Sequence, residues 1–110
     1  MNQKLQNALL LGLAAATIMV ATPPANASEA IVKKARCIAC HAVDQKRVGP
    51  AYKDVAAKYK GDSKAAAMLF DKVRHGGSGN WGQVPMIPHP ADKISDDDLK
   101  AAIAWILALE

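Results

Sequence analysis

The chain has 110 residues, 51% of them hydrophobic and 5% aromatic, with 14 basic against 10 acidic side chains and a formal charge of +4. That length admits one small domain and excludes a chain built from several large ones. The basic excess is modest, with no arginine-rich stripe and no interleaved aromatics, which excludes the footprint of a nucleic-acid binder.

The opening stretch reads as a targeting segment. Lys4 precedes an uncharged apolar run from Ala8 to Ala21, and Pro23-Pro24 lead into Ala25-Asn26-Ala27, a small-x-small cleavage pattern. These residues predict a signal peptide over 1–27, cut after Ala27, and a domain over 28–110. The apolar run is shorter than the ~20 residues a spanning helix needs, so no stable membrane anchor is expected. The remaining 83 residues carry 13 basic and 10 acidic side chains. A chain of that size buries only about 60–65% of its unfolded surface, so a bound cofactor is a natural supplement to its core.

Ser28 is placed to cap a first helix running to about Arg36, with Glu29 in its first turn and Ile31, Val32 and Ala35 as its apolar face. Cys37-Ile38-Ala39-Cys40-His41 follows, using both cysteines and one of the three histidines. In the spacing C-x-x-C-H each thiol can add to a vinyl group of one haem, and the adjacent histidine is placed to bind the iron. A zinc site would need two further ligands, and His75 and His89 stand isolated. A redox dithiol belongs in a βαβ context, whereas the flanks here are helical. The motif is therefore read as one covalent haem site, whose attachment points to a compartment outside the cytoplasm.

Val48-Gly49-Pro50 breaks the next loop, and Pro50 suits the first position of a helix through about Tyr59, stopped at Gly61. Asp62 or Ser63 then caps a third helix, with Ala66, Leu69, Phe70 and Val73 on one face and Gly76-Gly77 as terminator. Met68 reads as a gap filler within it, and His75 as a last-turn residue able to satisfy carbonyls. Ser95 caps a final helix whose first turn holds Asp96, Asp97 and Asp98. Its apolar stripe, Leu99, Ile103, Ile106 and Leu107, is expected to cross the first helix. No stretch predicts a strand, so the fold expected is all-α, about four helices wrapped around one covalent haem.

Between Gly76 and Ile94 lies a glycine- and proline-rich segment too long to be without function in so small a domain. Met86 sits there between Pro85 and Pro88, whose rings restrict the backbone, so its thioether can be held against iron as the sixth ligand without helical support. Of the two methionines that survive cleavage, Met68 has the structural explanation. His89 is the competing ligand, with little freedom between Pro88 and Pro90. Trp81 has two compatible readings: its ring packs over the macrocycle, or its N–H reaches a haem propionate.

Taken together, Cys37-Ile38-Ala39-Cys40-His41-Ala42, the run from Val48 to Lys58, Trp81-Gly82 with Pro85-Met86, and Ala104-Trp105-Ile106-Leu107 resemble the small class I bacterial cytochromes c of the c-551/c-552 type. The likeness covers essentially all of 28–110. It implies thioethers at Cys37 and Cys40, iron ligation by His41 and Met86, a hydrogen bond from the His41 ring to the Pro50 carbonyl, a Trp81 contact to a propionate, and single-electron shuttling in the periplasm. One departure lies after the ligand methionine, where such proteins commonly carry Pro-Pro-Asn and this sequence reads Ile87-Pro88-His89, with a longer run to the last helix.

The resulting expectation is a monomeric periplasmic electron carrier that is not an enzyme, since filling both axial positions leaves no place for substrate. Its partners would be periplasmic redox proteins, with a nitrite reductase, a cytochrome c peroxidase or a terminal oxidase as candidate acceptors. The alternative is a small haem peroxidase or gas-binding sensor with a displaceable sixth ligand. From Lys33 to Arg74 there are eleven basic residues against four acidic ones, and from His75 to Glu110 two against five. The basic half reads either as a steering patch for an acidic partner or as an ordinary solvated surface.

Overall fold

The computed structural model of the chain describes Gly12 and residues 25–110. The leader expected over 1–27 lies outside the described residues except for Gly12 and its last three, which begin the first helix. Among the described residues four helices follow in order: α1 over Ala25–Lys34, α2 over Tyr52–Lys58, α3 over Ala65–His75 and α4 over Asp96–Leu107, with a single 3₁₀ turn at Cys37–Ala39. Among the described residues no strand forms, and one isolated antiparallel bridge joins Gly77 to Met86. The architecture is the all-α one that the sequence predicts.

α4 is the element against which α1, α2 and α3 all pack. Its start is fixed locally: Ser95 is extended, and its Oγ accepts a hydrogen bond from Asp98 N at 3.2 Å. Asp96, Asp97 and Asp98 meet the positive end of the helix. Two apolar clusters hang on its inner stripe. One joins Ala102, with Trp105 and Ile106, to Val32 and Tyr52. The other joins Leu99, Ile103 and Ile94 to Leu69, Phe70 and Val73 of α3 and to Ile31 of α1. Each aliphatic side chain fully buried this way contributes about 1.5–3 kcal/mol of transfer free energy.

Several local expectations are corrected. α1 begins at Ala25, so Ser28 is not its cap. The preceding alanines continue the helix, and Ser28 lies wholly buried within it, its Oγ without a partner among the described residues. α1 also stops at Lys34. Arg36 has φ 62 and ψ 22, a left-handed conformation in which a Cβ is crowded, and this reversal releases Cys37 to start a new turn.

α2 starts at Tyr52 with Ala51 as its extended cap, leaving Pro50 outside the helix and its carbonyl free of helical bonding. The buried face of α3 starts at Ala65, 1% exposed, rather than at Ala66, so Ala65, Leu69 and Val73 form one i, i+4 row. Neither Asp62 nor Ser63 is the cap of α3: that position is Lys64, with no side-chain bond to the helix, and Asp62 Oδ1 accepts from Lys64 N at 2.9 Å in the turn before it. Met68 is 39% exposed and fills no gap in the core. His75 Nδ1 donates to the Asp71 carbonyl at 3.0 Å, as a last-turn histidine can.

Candidate haem-binding site

The 3₁₀ turn, the start of α2, the end of α3, the 76–90 loop and the inner face of α4 enclose a cavity of about 900 Å³. That lies within the range of about 300–1,000 Å³ common for cofactor pockets. Cys37, Cys40, His41, Pro50, Trp81 and Met86 all line it, as does His89. Much of the remaining wall is apolar, with Val55, Leu69, Leu99 and Ile103 among its residues.

The motif is shaped by its own backbone. Cys40 N and His41 N both donate to the Cys37 carbonyl, at 3.1 and 2.9 Å, a tight turn that brings both cysteines and His41 to the cavity wall. Both cysteines are free and half-buried. Burial pushes the Cys37 thiol and the Tyr52 phenol above their ordinary values.

His41 is held from three sides. Its Nδ1 lies 2.8 Å from the Pro50 carbonyl, and because a carbonyl only accepts, Nδ1 carries the proton and Nε2 keeps its lone pair. The Tyr52 ring stacks on it at 5.1 Å between centroids and 18° between planes, and Trp105 meets Tyr52 edge-on at 6.0 Å. On the remaining side stands Gly49, where a Cβ would sit 2.5 Å from His41 Cε1. Only glycine lets the loop approach so closely.

Met86, which also lines the cavity, is fixed by its main chain. Met86 N donates to Gly77 O at 2.9 Å and Gly77 N to Met86 O at 3.0 Å. The strap lies flush against the end of α3 because Gly76 has φ 70 and no Cβ, which would otherwise strike the Met86 carbonyl. Further along, His89 N donates to Val73 O at 2.9 Å, and His89 Nδ1 is buried without a partner among the described residues. The outgoing arm is tied to α2: Lys58 Nζ donates to Asn80 O at 3.0 Å and lies 4.5 Å from the centroid of the Trp81 ring. Trp81 remains 40% exposed.

Tyr52, Gly49, Gly76, Lys58 and Arg74, whose contacts are given below, are contributors that the sequence reading did not single out. For Gly49 the only signal is a Val-Gly-Pro run, which reads as a chain break and says nothing of a ring packed against it. For Tyr52 the signal is only its place in the run from Val48 to Lys58, which says nothing of a ring stacked on His41.

The donor set fits a covalent haem: two thiols on one turn, an imidazole with its outer nitrogen free, and a thioether lining the same cavity. Comparison with known proteins gives the same result. The cytochrome c family model matches residues 25–110. Cytochrome c-551 of Allochromatium vinosum is 50% identical over 93 residues, covering 84% of this chain and 97% of the relative. Cytochrome c-551 of Pseudomonas aeruginosa is 43% identical over 101 residues, covering 92% and 94%. The crystal structure of wild-type Nitrosomonas europaea cytochrome c552 superposes with a TM-score of 0.67 at 49% identity, covering 74% of this chain and 99% of that one. Sequence, helical frame and cysteine spacing therefore lead to one conclusion, that the chain belongs to the cytochrome c family and is a small electron carrier with one haem c attached through Cys37 and Cys40.

Proposed function

We propose that this protein shuttles single electrons in the periplasm as a monomer, with His41 and Met86 as the two axial ligands to iron, and that it is not an enzyme. The observation that carries the reading is that His41 and Met86 share one cavity while each is tethered by its own hydrogen bonds, His41 to Pro50 and Met86 to Gly77. Haem bound there supplies a one-electron iron couple, and a histidine-methionine pair raises its potential.

The rest of the work belongs to the chain. Donation from Nδ1 to Pro50 fixes the His41 ring and makes Nε2 a better donor atom. The Gly77 bridge keeps the thioether in place through changes of oxidation state. Trp81 supplies an N–H suited to a propionate, and the Lys58 ammonium over its ring adds positive charge there. With His41 and Met86 both holding the iron, no position would be left for a substrate.

Export is supported by Lys4, the apolar run and the Ala25-Asn26-Ala27 pattern. No described helix is long and apolar enough to cross a membrane. Intact mass of protein from the periplasmic fraction should equal residues 28–110 plus one haem. A product recovered only from membranes with Met1 retained would contradict export.

An acidic redox partner is favoured, whether a nitrite reductase, a cytochrome c peroxidase or a terminal oxidase. Val48, Val84 and Ile87 line the cavity yet are 56%, 65% and 66% exposed, an apolar rim accompanied by Lys34, Arg36 and Lys72. Arg47 donates to the Ile38 carbonyl beside the motif, at 3.2 Å. Lys53 contributes less free charge, since it pairs with Asp44 at 3.0 Å. Electron transfer to such a partner should slow about tenfold or more as the screening length falls from ~30 Å at 0.01 M salt to ~8 Å at 0.15 M. Charge reversal at Arg47 or Lys72 should slow it more than reversal at Lys53. A rate independent of salt would leave the basic half as solvated surface only.

A further inference from the structure

Arg74 stands one residue before the end of α3 and does not line the cavity. Its side chain is only 11% exposed. Nη1 donates to two main-chain carbonyls on the far side of the ligand strap, His89 O at 3.0 Å and Ile94 O at 2.7 Å. Nη2 meets Asp96 Oδ1, in the first turn of α4, at 2.6 Å. The guanidinium carbon lies 5.1 Å from the centroid of the Phe70 ring, so the group is backed by an aromatic face.

One side chain thus gathers the returning arm of the loop at His89, its end at Ile94 just before the Ser95 cap, and α4 itself at Asp96. Next to it, His89 N donates to Val73 O. Met86 therefore hangs between two anchors, the Gly77 bridge at its own position and the Arg74 cluster three residues on. For the thioether to leave its place in the cavity, the strap must swing on one of them. A planar fork that stays charged at any accessible pH can hold two carbonyls and a carboxylate at once, whereas a lysine ammonium is a single point.

We propose that Arg74 is a positioning residue for the Met86 loop, one that sets how readily the sixth ligand is exchanged while touching neither iron nor ligand. The proposal rests on the reading that Met86 is that ligand. Its content is kinetic: the two carbonyl bonds must break for the strap to open, so their loss speeds opening even when the folded protein is intact.

The test is the rate at which added cyanide or imidazole enters the iron of the purified ferric holoprotein, at neutral pH and well below its melting temperature. Arg74→Met, which keeps the length of the stem, should raise that rate on the order of tenfold to a hundredfold, because hydrogen bonds from a charged donor are lost. Arg74→Lys, which keeps charge and fold, should fall between Arg74→Met and the parent. Asp96→Asn should change the rate less than about threefold, since that carboxylate is 66% exposed and the pair is correspondingly weak. Lower melting temperatures with ligand entry at the parent rate in both Arg74 variants would overturn the proposal and leave Arg74 a purely structural residue. A parent protein lacking the weak long-wavelength sulfur-to-ferric-iron band would instead overturn Met86 ligation, and the proposal with it.

Discussion

Met86→Ala should lower the reduction potential by a sizeable fraction of the ~0.8 V range that axial ligands span, abolish the sulfur-to-ferric-iron band, and open the iron to cyanide or imidazole. A thioether favours the ferrous state, and whatever small donor replaces it favours the ferric state, so the sign is fixed. His89→Ala should change none of these near neutral pH. The contrast is informative because His89 also lines the cavity and histidine is the stronger ligand for ferric iron. What holds it back is its backbone, which donates to Val73 and accepts from Arg74 while lying between two prolines. Potentiometry and ferric spectra of the two variants decide the matter. If His89→Ala loses the band and Met86→Ala keeps the parent spectrum, the ligands are two histidines.

The second large effect concerns attachment. Replacing both Cys37 and Cys40 by alanine should remove most of the stability and leave haem extractable from the unfolded chain. The reason is the size of the cavity: about 900 Å³ lies at the junction of all four helices, and its wall includes core residues such as Val55, Leu99 and Ile103. Whatever packs there completes the core of a domain whose total stability is on the order of 5–15 kcal/mol. The thioethers keep that partner present through every opening of the chain. Thermal unfolding of the double variant, with haem content measured in parallel, checks this. Equal haem occupancy and an unchanged melting temperature would show that the covalent links are not the staple.

The elements legible from the residues alone are those whose determinants are local. Ser95 and the three aspartates after it fix the start of α4 within one turn, and C-x-x-C-H carries its chemistry in five consecutive residues. Misreadings arise where a distant contact decides. Ser28 has the chemistry of a cap but is drawn into the buried face of α1, four residues before Val32. Arg36 looks like one more helical residue, yet the chain must reverse there to carry Cys37 to the cavity.

Glycines illustrate the same limit. Gly49 and Gly76 read as punctuation in the sequence, while in the fold each marks the approach of backbone to a candidate ligand, His41 in one case and Met86 in the other. Arg74 is the extreme instance, since nothing in Val73-Arg74-His75 announces that its partners lie 15, 20 and 22 residues away.

His41 and Met86 together holding the iron is the central claim, and the visible spectrum of the purified ferrous protein, recorded with and without carbon monoxide at neutral pH, tests it most directly. Ligation by both residues predicts a spectrum that carbon monoxide leaves unchanged, alongside a ferric form that shows the sulfur band. A ferrous spectrum that shifts promptly and completely under carbon monoxide would mean an open or easily vacated sixth position, and would contradict it.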